Sequence, residues 1–182
     1  MTIGTADQTP AGVTGSPLPE GVWSVDSQRS EITFAVKEMW GLRTVRGVFG
    51  AFKGGLVVRP KGAMGELAID AASLDTGHAK RDRHLRSPAF FDTEHHAWIV
   101  FTLTSVDARD GHATVIGELA IGTSRTELEI PVDIQRQDGG SLRIDGQTAL
   151  SRQAAGLAWN KLGMIRGDAM LHARLTLVRE GS

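Results

Sequence analysis

The sequence predicts an all-β fold of about eight antiparallel strands, and three observations carry that expectation. Alternation of apolar and polar residues recurs from Val22 to the end of the chain. The links between alternating stretches are short and glycine-rich, which suits hairpins. No strand–helix–strand rhythm occurs, so a Rossmann-type nucleotide fold is not expected. A sandwich and a barrel both satisfy these observations.

The elements follow in order. "SEITFAVKE" sets Ile32, Phe34 and Val36 on one side and Glu31, Thr33, Ala35 and Lys37 on the other. "TVRGVFGAFKGGLVVRP" reads as a long strand or hairpin that carries Phe49 and Phe52, its glycines permitting bulges and curvature. "GELAIDAASL" alternates Leu67, Ile69 and Ala71. "WIVFTLTSVDA", with Phe101, is strongly strand-like, and Asp110-Gly111 signals a hairpin into "HATVIGELAI", with Leu119. "TELEIPVDIQ" aligns Leu128, Ile130, Val132 and Ile134, a Gly139-Gly140 turn leads into "SLRIDGQTAL", and "GDAMLHARLTLVRE" closes the chain. Two stretches break the pattern. The polar "DTGHAKRDRHLRS" predicts a helix over about 77–87, capped by Asp75 or Thr76 and stopped by Pro88. "SRQAAGLAWNKL" predicts a short helical or irregular crossing over about 152–160. Insertions of this kind sit over the end of a barrel or sandwich.

Composition bounds the function. The 182 residues suffice for one domain, read as 21–182, behind a Thr-, Gly- and Pro-rich tail, 1–20, that is too polar to order itself. A net charge of -1 gives no pull toward nucleic acid, and no run of about 18 apolar residues supports stable membrane insertion. Cysteine is absent, which excludes disulfides, thiol catalysis and cysteine-bound metals. The N-terminal stretch lacks the basic start and apolar run of a secretory signal, so a cytoplasmic location is expected.

No catalytic motif stands out. The chain has no G-x-S-x-G, no H-E-x-x-H and no phosphate-binding glycine loop, so no catalytic residue is assigned. His78, His84, His95 and His96 raise the question of a metal. On a helix His78 and His84 lie about 240° apart, and adjacent His95 and His96 diverge, so no metal is expected. The segment "RDRHLRSPAFFD" reads most simply as a solvated helix with an Asp82–Arg86 pair and Leu85 as its anchor. The functional alternative turns Arg81 and His84 toward a polar or anionic headgroup at a cavity mouth, with Phe90 and Phe91 dropping into the body of the protein.

Read in order, these pieces resemble the YceI-like family. "WSVDSQRSEITFAVKEMWGLRTVRGVFGAFKGGLVV" is similar to its start, and "IDAASLDTG" followed by "RDRHLRSPAFFD" resembles its most specific segment. The family often has proline after that FFD, where this chain reads "EHHAWIVF". The resemblance implies an elongated, eight-stranded, antiparallel lipocalin-like barrel that holds a long isoprenoid, such as a polyprenyl phosphate or a quinone-type tail, and acts in transport, sequestration or stress response without catalysis. The expected tunnel residues are Ile32, Phe34, Val36, Phe49, Phe52, Leu67, Ile69, Phe90, Phe91, Phe101 and Leu119. Arg81, His84, Trp40 and Trp159 are the expected mouth. No cofactor beyond the bound lipid is expected, and a homodimer stays open. Two alternatives remain: an enzyme acting on a small hydrophobic metabolite through Arg81–Asp92, and a barrel filled by its own side chains that binds partners at its surface.

Overall fold

A computed structural model describes residues 18–38, 42–109, 112–157 and 166–181. The strands are β1 (Gly21–Val25), β2 (Glu31–Glu38), β3 (Arg43–Phe49), β4 (Phe52–Arg59), β5 (Gly62–Asp70), β6 (Leu74–Asp75), β7 (Trp98–Arg109), β8 (His112–Ile121), β9 (Ser124–Arg136), β10 (Leu142–Leu150) and β11 (Arg166–Arg179). One α-helix, α1 (Ala79–Arg86), lies between β6 and β7. Three long runs of chain are bent rather than ended, so β1 with β2, β3 with β4 and β5 with β6 act as single staves. Eight staves then form a closed antiparallel barrel, because β11 pairs with β10 on one side and with both β1 and β2 on the other.

The bends use a repeated device. Asp26 accepts the Gln28 backbone N–H at 3.1 Å, while the Ser30 hydroxyl donates to the Asp26 carbonyl at 2.6 Å. Asp70 likewise accepts the Ala72 N–H at 2.9 Å, and the Ser73 hydroxyl donates to the Asp70 carbonyl at 2.6 Å. Short polar side chains thus satisfy backbone groups that leave the ladder, which lets a stave turn a corner. Gly139 and Gly140 serve the β9–β10 link differently: φ values of 77° and 78° suit glycine.

The core divides between the two ends. At one end Leu18, Trp23, Leu56, Val58, Leu142 and Leu177 pack together, with the Trp23 indole N–H donating to the Pro19 carbonyl at 3.0 Å. At the other, helix end, Leu74, Ile99, Leu119, Leu150 and Ala155 form a larger cluster against which Leu85, Phe90 and Phe91 pack.

The α1 segment departs from its expected wiring. Its N-cap is His78, whose Nδ1 accepts the Arg81 N–H at 3.4 Å; Asp75 instead accepts the Gly77 N–H at 2.7 Å. No Asp82–Arg86 pair forms. Asp82 is buried and accepts the Thr76 N–H at 3.1 Å and the Thr76 hydroxyl, whereas Arg86 donates to the Ala72 carbonyl at 2.8 Å and to that of Leu74. The backbone hands both side chains better partners than each other. The other insertion is not helical where it is described: 152–156 is a run of turns closed by Leu157 N–H donating to the Arg152 carbonyl at 2.8 Å.

Two predictions follow from these contacts. Asp82→Ala strands the Thr76 groups and should cost about 1–3 kcal/mol, lowering Tm by roughly 3–9 °C in a thermal melt. On the outer wall Arg174 donates to Asp145 Oδ2 at 2.9 Å and His172 meets Oδ1 at 2.8 Å, so Arg174 first and His172 second hold the Asp145 carboxyl below its ordinary range. A carboxyl depressed in the folded state stabilises above its unfolded pKa, near 3.9, and loses that contribution as pH falls further. Unfolding followed against pH should therefore show Asp145→Asn less stable than the parent above about pH 4, with the gap closing in stronger acid.

Candidate functional site: an apolar bore

Closure of the barrel leaves an internal cavity of about 280 Å³. It runs from Leu18 at one end to Leu85, Phe90, Phe91 and Leu157 at the other. Of the expected tunnel residues, Ile32, Phe34, Val36, Phe49, Leu67, Ile69, Phe90, Phe91, Phe101 and Leu119 all line it. Phe52 does not; it stands at the β3–β4 bend and packs against the same apolar cluster. Several lining residues had not been singled out as tunnel positions, among them Val106, Val115, Ile130 and Leu171.

Two glycines keep this space open. Phe34 pairs across the ladder with Gly47, and a Cβ built on Gly47 would lie 2.7 Å from Phe34 Cε1. A Cβ on Gly117 would lie 2.7 Å from Phe101 Cε2. Each ring therefore rests on bare backbone, against the wall, where a side chain would force it inward. Phe34 continues into Phe49 at a centroid distance of 5.4 Å, and Phe49 into Phe91 edge-on at 6.3 Å. This aromatic run ties the helix-end plug to the wall.

The polar border of the bore consists of Glu66, Thr148, Arg152 and His172. Glu66 is exposed, and His172 is engaged with Asp145, so both belong to the outer surface. Thr148 donates to the Glu129 carbonyl at 3.3 Å, and Arg152 to the Leu157 carbonyl at 3.2 Å. Burial pulls the Arg152 guanidinium below its ordinary pKa.

The expected mouth is arranged otherwise. Arg81 turns back to Thr76, its Nε donating to the hydroxyl at 2.8 Å and its Nη2 to the carbonyl at 3.0 Å. His84 is exposed and meets the Phe90 ring edge-on at 5.3 Å. Neither lines the bore. Trp40 and Trp159 lie outside the described residues. An open depression of about 900 Å³ skirts α1 on the outside, bordered by His78, Asp82, Arg83 and Arg86. Its charged groups include Asp82 and Arg86, already engaged with backbone. Among the described residues no three His, Asp or Glu side chains gather as a metal site, and no helix is long and apolar enough to cross a membrane.

The chain is thus a closed eight-stranded antiparallel barrel around a hydrocarbon-lined cavity. Residues 23–177 match the YceI-like domain, and the chain belongs to that family. A UPF0312 protein of Shewanella baltica is 30% identical over 165 residues, covering 86% of this chain and 83% of that protein. Crystallised BcnA of Burkholderia cenocepacia superposes with a TM-score of 0.75 at 20% identity, covering 84% of this chain and 98% of that one. A domain from Saccharophagus degradans, described as polyisoprenoid-binding and implicated in plant cell wall breakdown, gives a TM-score of 0.70 at 16% identity, with 86% and 98% covered.

Gly47→Ala tests whether ring placement keeps the bore open. Its Cβ should drive Phe34 inward and weaken uptake of an apolar fluorescent probe by about tenfold, the equivalent of losing one to two buried methylenes. Unchanged uptake by a folded variant would contradict that role.

Proposed function

We propose that the protein binds a hydrophobic chain, an isoprenoid or related lipid with a polyprenyl phosphate or quinone-type tail, inside the bore, and carries or sequesters it without chemical turnover. The observation that carries this reading is the cavity of about 280 Å³ with hydrocarbon walls. The polyisoprenoid-binding description of the Saccharophagus degradans domain, which has the same fold, supports the choice of ligand class.

Magnitudes define what the bore can do. A cavity of ~150 Å³ is enough for benzene, so this one has room for about a dozen carbons as it stands. At ~0.8 kcal/mol per methylene that is about 10 kcal/mol of gross driving force. Association costs at least about 4 kcal/mol, so the Kd for such a short chain is no tighter than about tens of micromolar. A longer isoprenoid has to displace lining side chains or extend beyond the bore, and it gains affinity with each buried unit.

The open bore speaks against a barrel filled by its own side chains. The wiring of Arg81, Asp82 and Arg86 into backbone and Thr76 speaks against an enzyme built on Arg81–Asp92. Native mass spectrometry of gently purified protein should show an added apolar mass that organic extraction removes and prenyl lipids restore. A clean apo mass that takes up no prenyl lipid would count decisively against binding. Turnover of a hydrophobic metabolite, lost in an Arg81→Ala, His84→Ala variant that still takes up lipid, would favour the enzyme instead.

A further inference from the structure

The two ends of the bore are closed by different means. At the helix end Leu85, Phe90 and Phe91 sit in a segment bonded to itself, the Phe91 N–H donating to the Leu85 carbonyl at 3.0 Å and the Phe90 N–H to that of Ser87 at 2.9 Å. At the other end Trp23, Leu56, Leu142 and Leu177 close in from strands, Trp23 opposite Leu56 and Leu142 opposite Leu177 in the ladders. Leu18 belongs to neither arrangement. It stands in a bend ahead of β1 rather than in a strand, yet it is only 4% exposed and borders the cavity. Between it and β1 the chain is pinned, with the Trp23 indole N–H donating to the Pro19 carbonyl at 3.0 Å and Arg179 Nη2 to that of Glu20 at 2.8 Å.

An apolar side chain so placed occupies space that a guest would otherwise fill. The cavity of about 280 Å³ is what remains with Leu18 in position. The about a dozen carbons that fit are therefore counted up to Leu18. A residue carried by a strand cannot leave the bore without breaking ladder hydrogen bonds. Leu18, outside the sheet, turns out by rotation of its own backbone while Pro19 and Glu20 stay held. The cost is exposure of one leucine, and a longer guest offsets it by burying its own terminal carbons in the same place.

We propose that Leu18 is the chain-length stop of the bore: guests of up to about a dozen carbons bind with it in place, and longer ones bind by displacing it. This assignment rests on the lipid-binding reading and adds the residue that sets guest length and the end at which a long guest emerges.

Straight-chain alcohols from octanol to hexadecanol, titrated into the full chain by displacement of an apolar fluorescent probe, read the stop. Affinity for the parent should rise about fourfold per methylene up to about a dozen carbons, then flatten where each gain is offset by exposure of Leu18. Leu18→Ala, shorter by about three carbons, should carry the steep rise about three carbons further. Ile130→Ala widens the side wall, between the helix-end cluster and that of Ala108, Ala113 and Val132. It should shift affinity along the whole series and leave the break in place. Because the chain has no cysteine, Leu18→Cys adds a single thiol. Its reaction with a maleimide should be slow in the unliganded protein and with octanol, and about tenfold faster or more with saturating hexadecanol. A parent series without a break, a break that stays put in Leu18→Ala or moves equally in Ile130→Ala, or a thiol that bound hexadecanol leaves protected overturns the inference while lipid binding stands. Failure of the parent to take up any of the alcohols overturns both. Should Leu18→Ala not fold, Leu18→Val, shorter by about one methylene, should move the break by about one carbon, and the thiol decides alongside it.

Discussion

The pairing of one strand, β11, with both halves of the first stave is the constraint on which the molecule depends. Leu177 opposite Val25 and Ala173 opposite Ile32 join the last strand to the first, and the sheet loses its free edges there. Once the circle is closed, pleating decides the rest: alternate residues face inward, and the interior of an eight-stranded barrel is about as wide as the side chains that must share it. Space for a guest then depends on what those side chains leave unfilled. Glycines at 47 and 117 let Phe34 and Phe101 lie close against the wall, where a Cβ would otherwise stand.

Much of this was legible in the chain. The alternation of Ile32, Phe34 and Val36, and that of Leu67 and Ile69, survives closure unchanged, because an unbroken ladder preserves parity. β7 shows where such reading stops. Its register shifts between Leu103 and Ser105, so Ile99, Phe101 and Leu103 face inward on one parity and Val106 on the other. A bulge of one residue has no side-chain signature in "FTLTSVDA", and Val106 cannot be assigned by counting twos. The partners of Gly47 and Gly117 depend on cross-strand register, which a single strand does not contain.

Charge was the harder part. "RDRHLRS" reads as a charged helix facing water, yet Asp82 is buried and Arg81 and Arg86 are turned onto Thr76 and backbone carbonyls. A short helix spanning the end of a barrel leaves loop carbonyls and N–H groups nearby, and satisfying those outweighs an exposed ion pair worth a few tenths of a kcal/mol. The segment is therefore the joint that holds Leu85, Phe90 and Phe91 over the bore. Arg152 passed unremarked in the sequence. It follows a strand inside a small-residue stretch, with no charged neighbour to draw notice, and only the fold brings it to the rim.

Architecture and chemistry thus meet in an apolar channel through the barrel. Its most direct test is electron density along the barrel axis of crystals grown from gently purified protein. Continuous density between Leu18 and Phe91, with Phe34 and Phe101 flat against their glycines, is the predicted result. Rings rotated inward to fill the axis, with no density beyond the chain itself, would contradict the account.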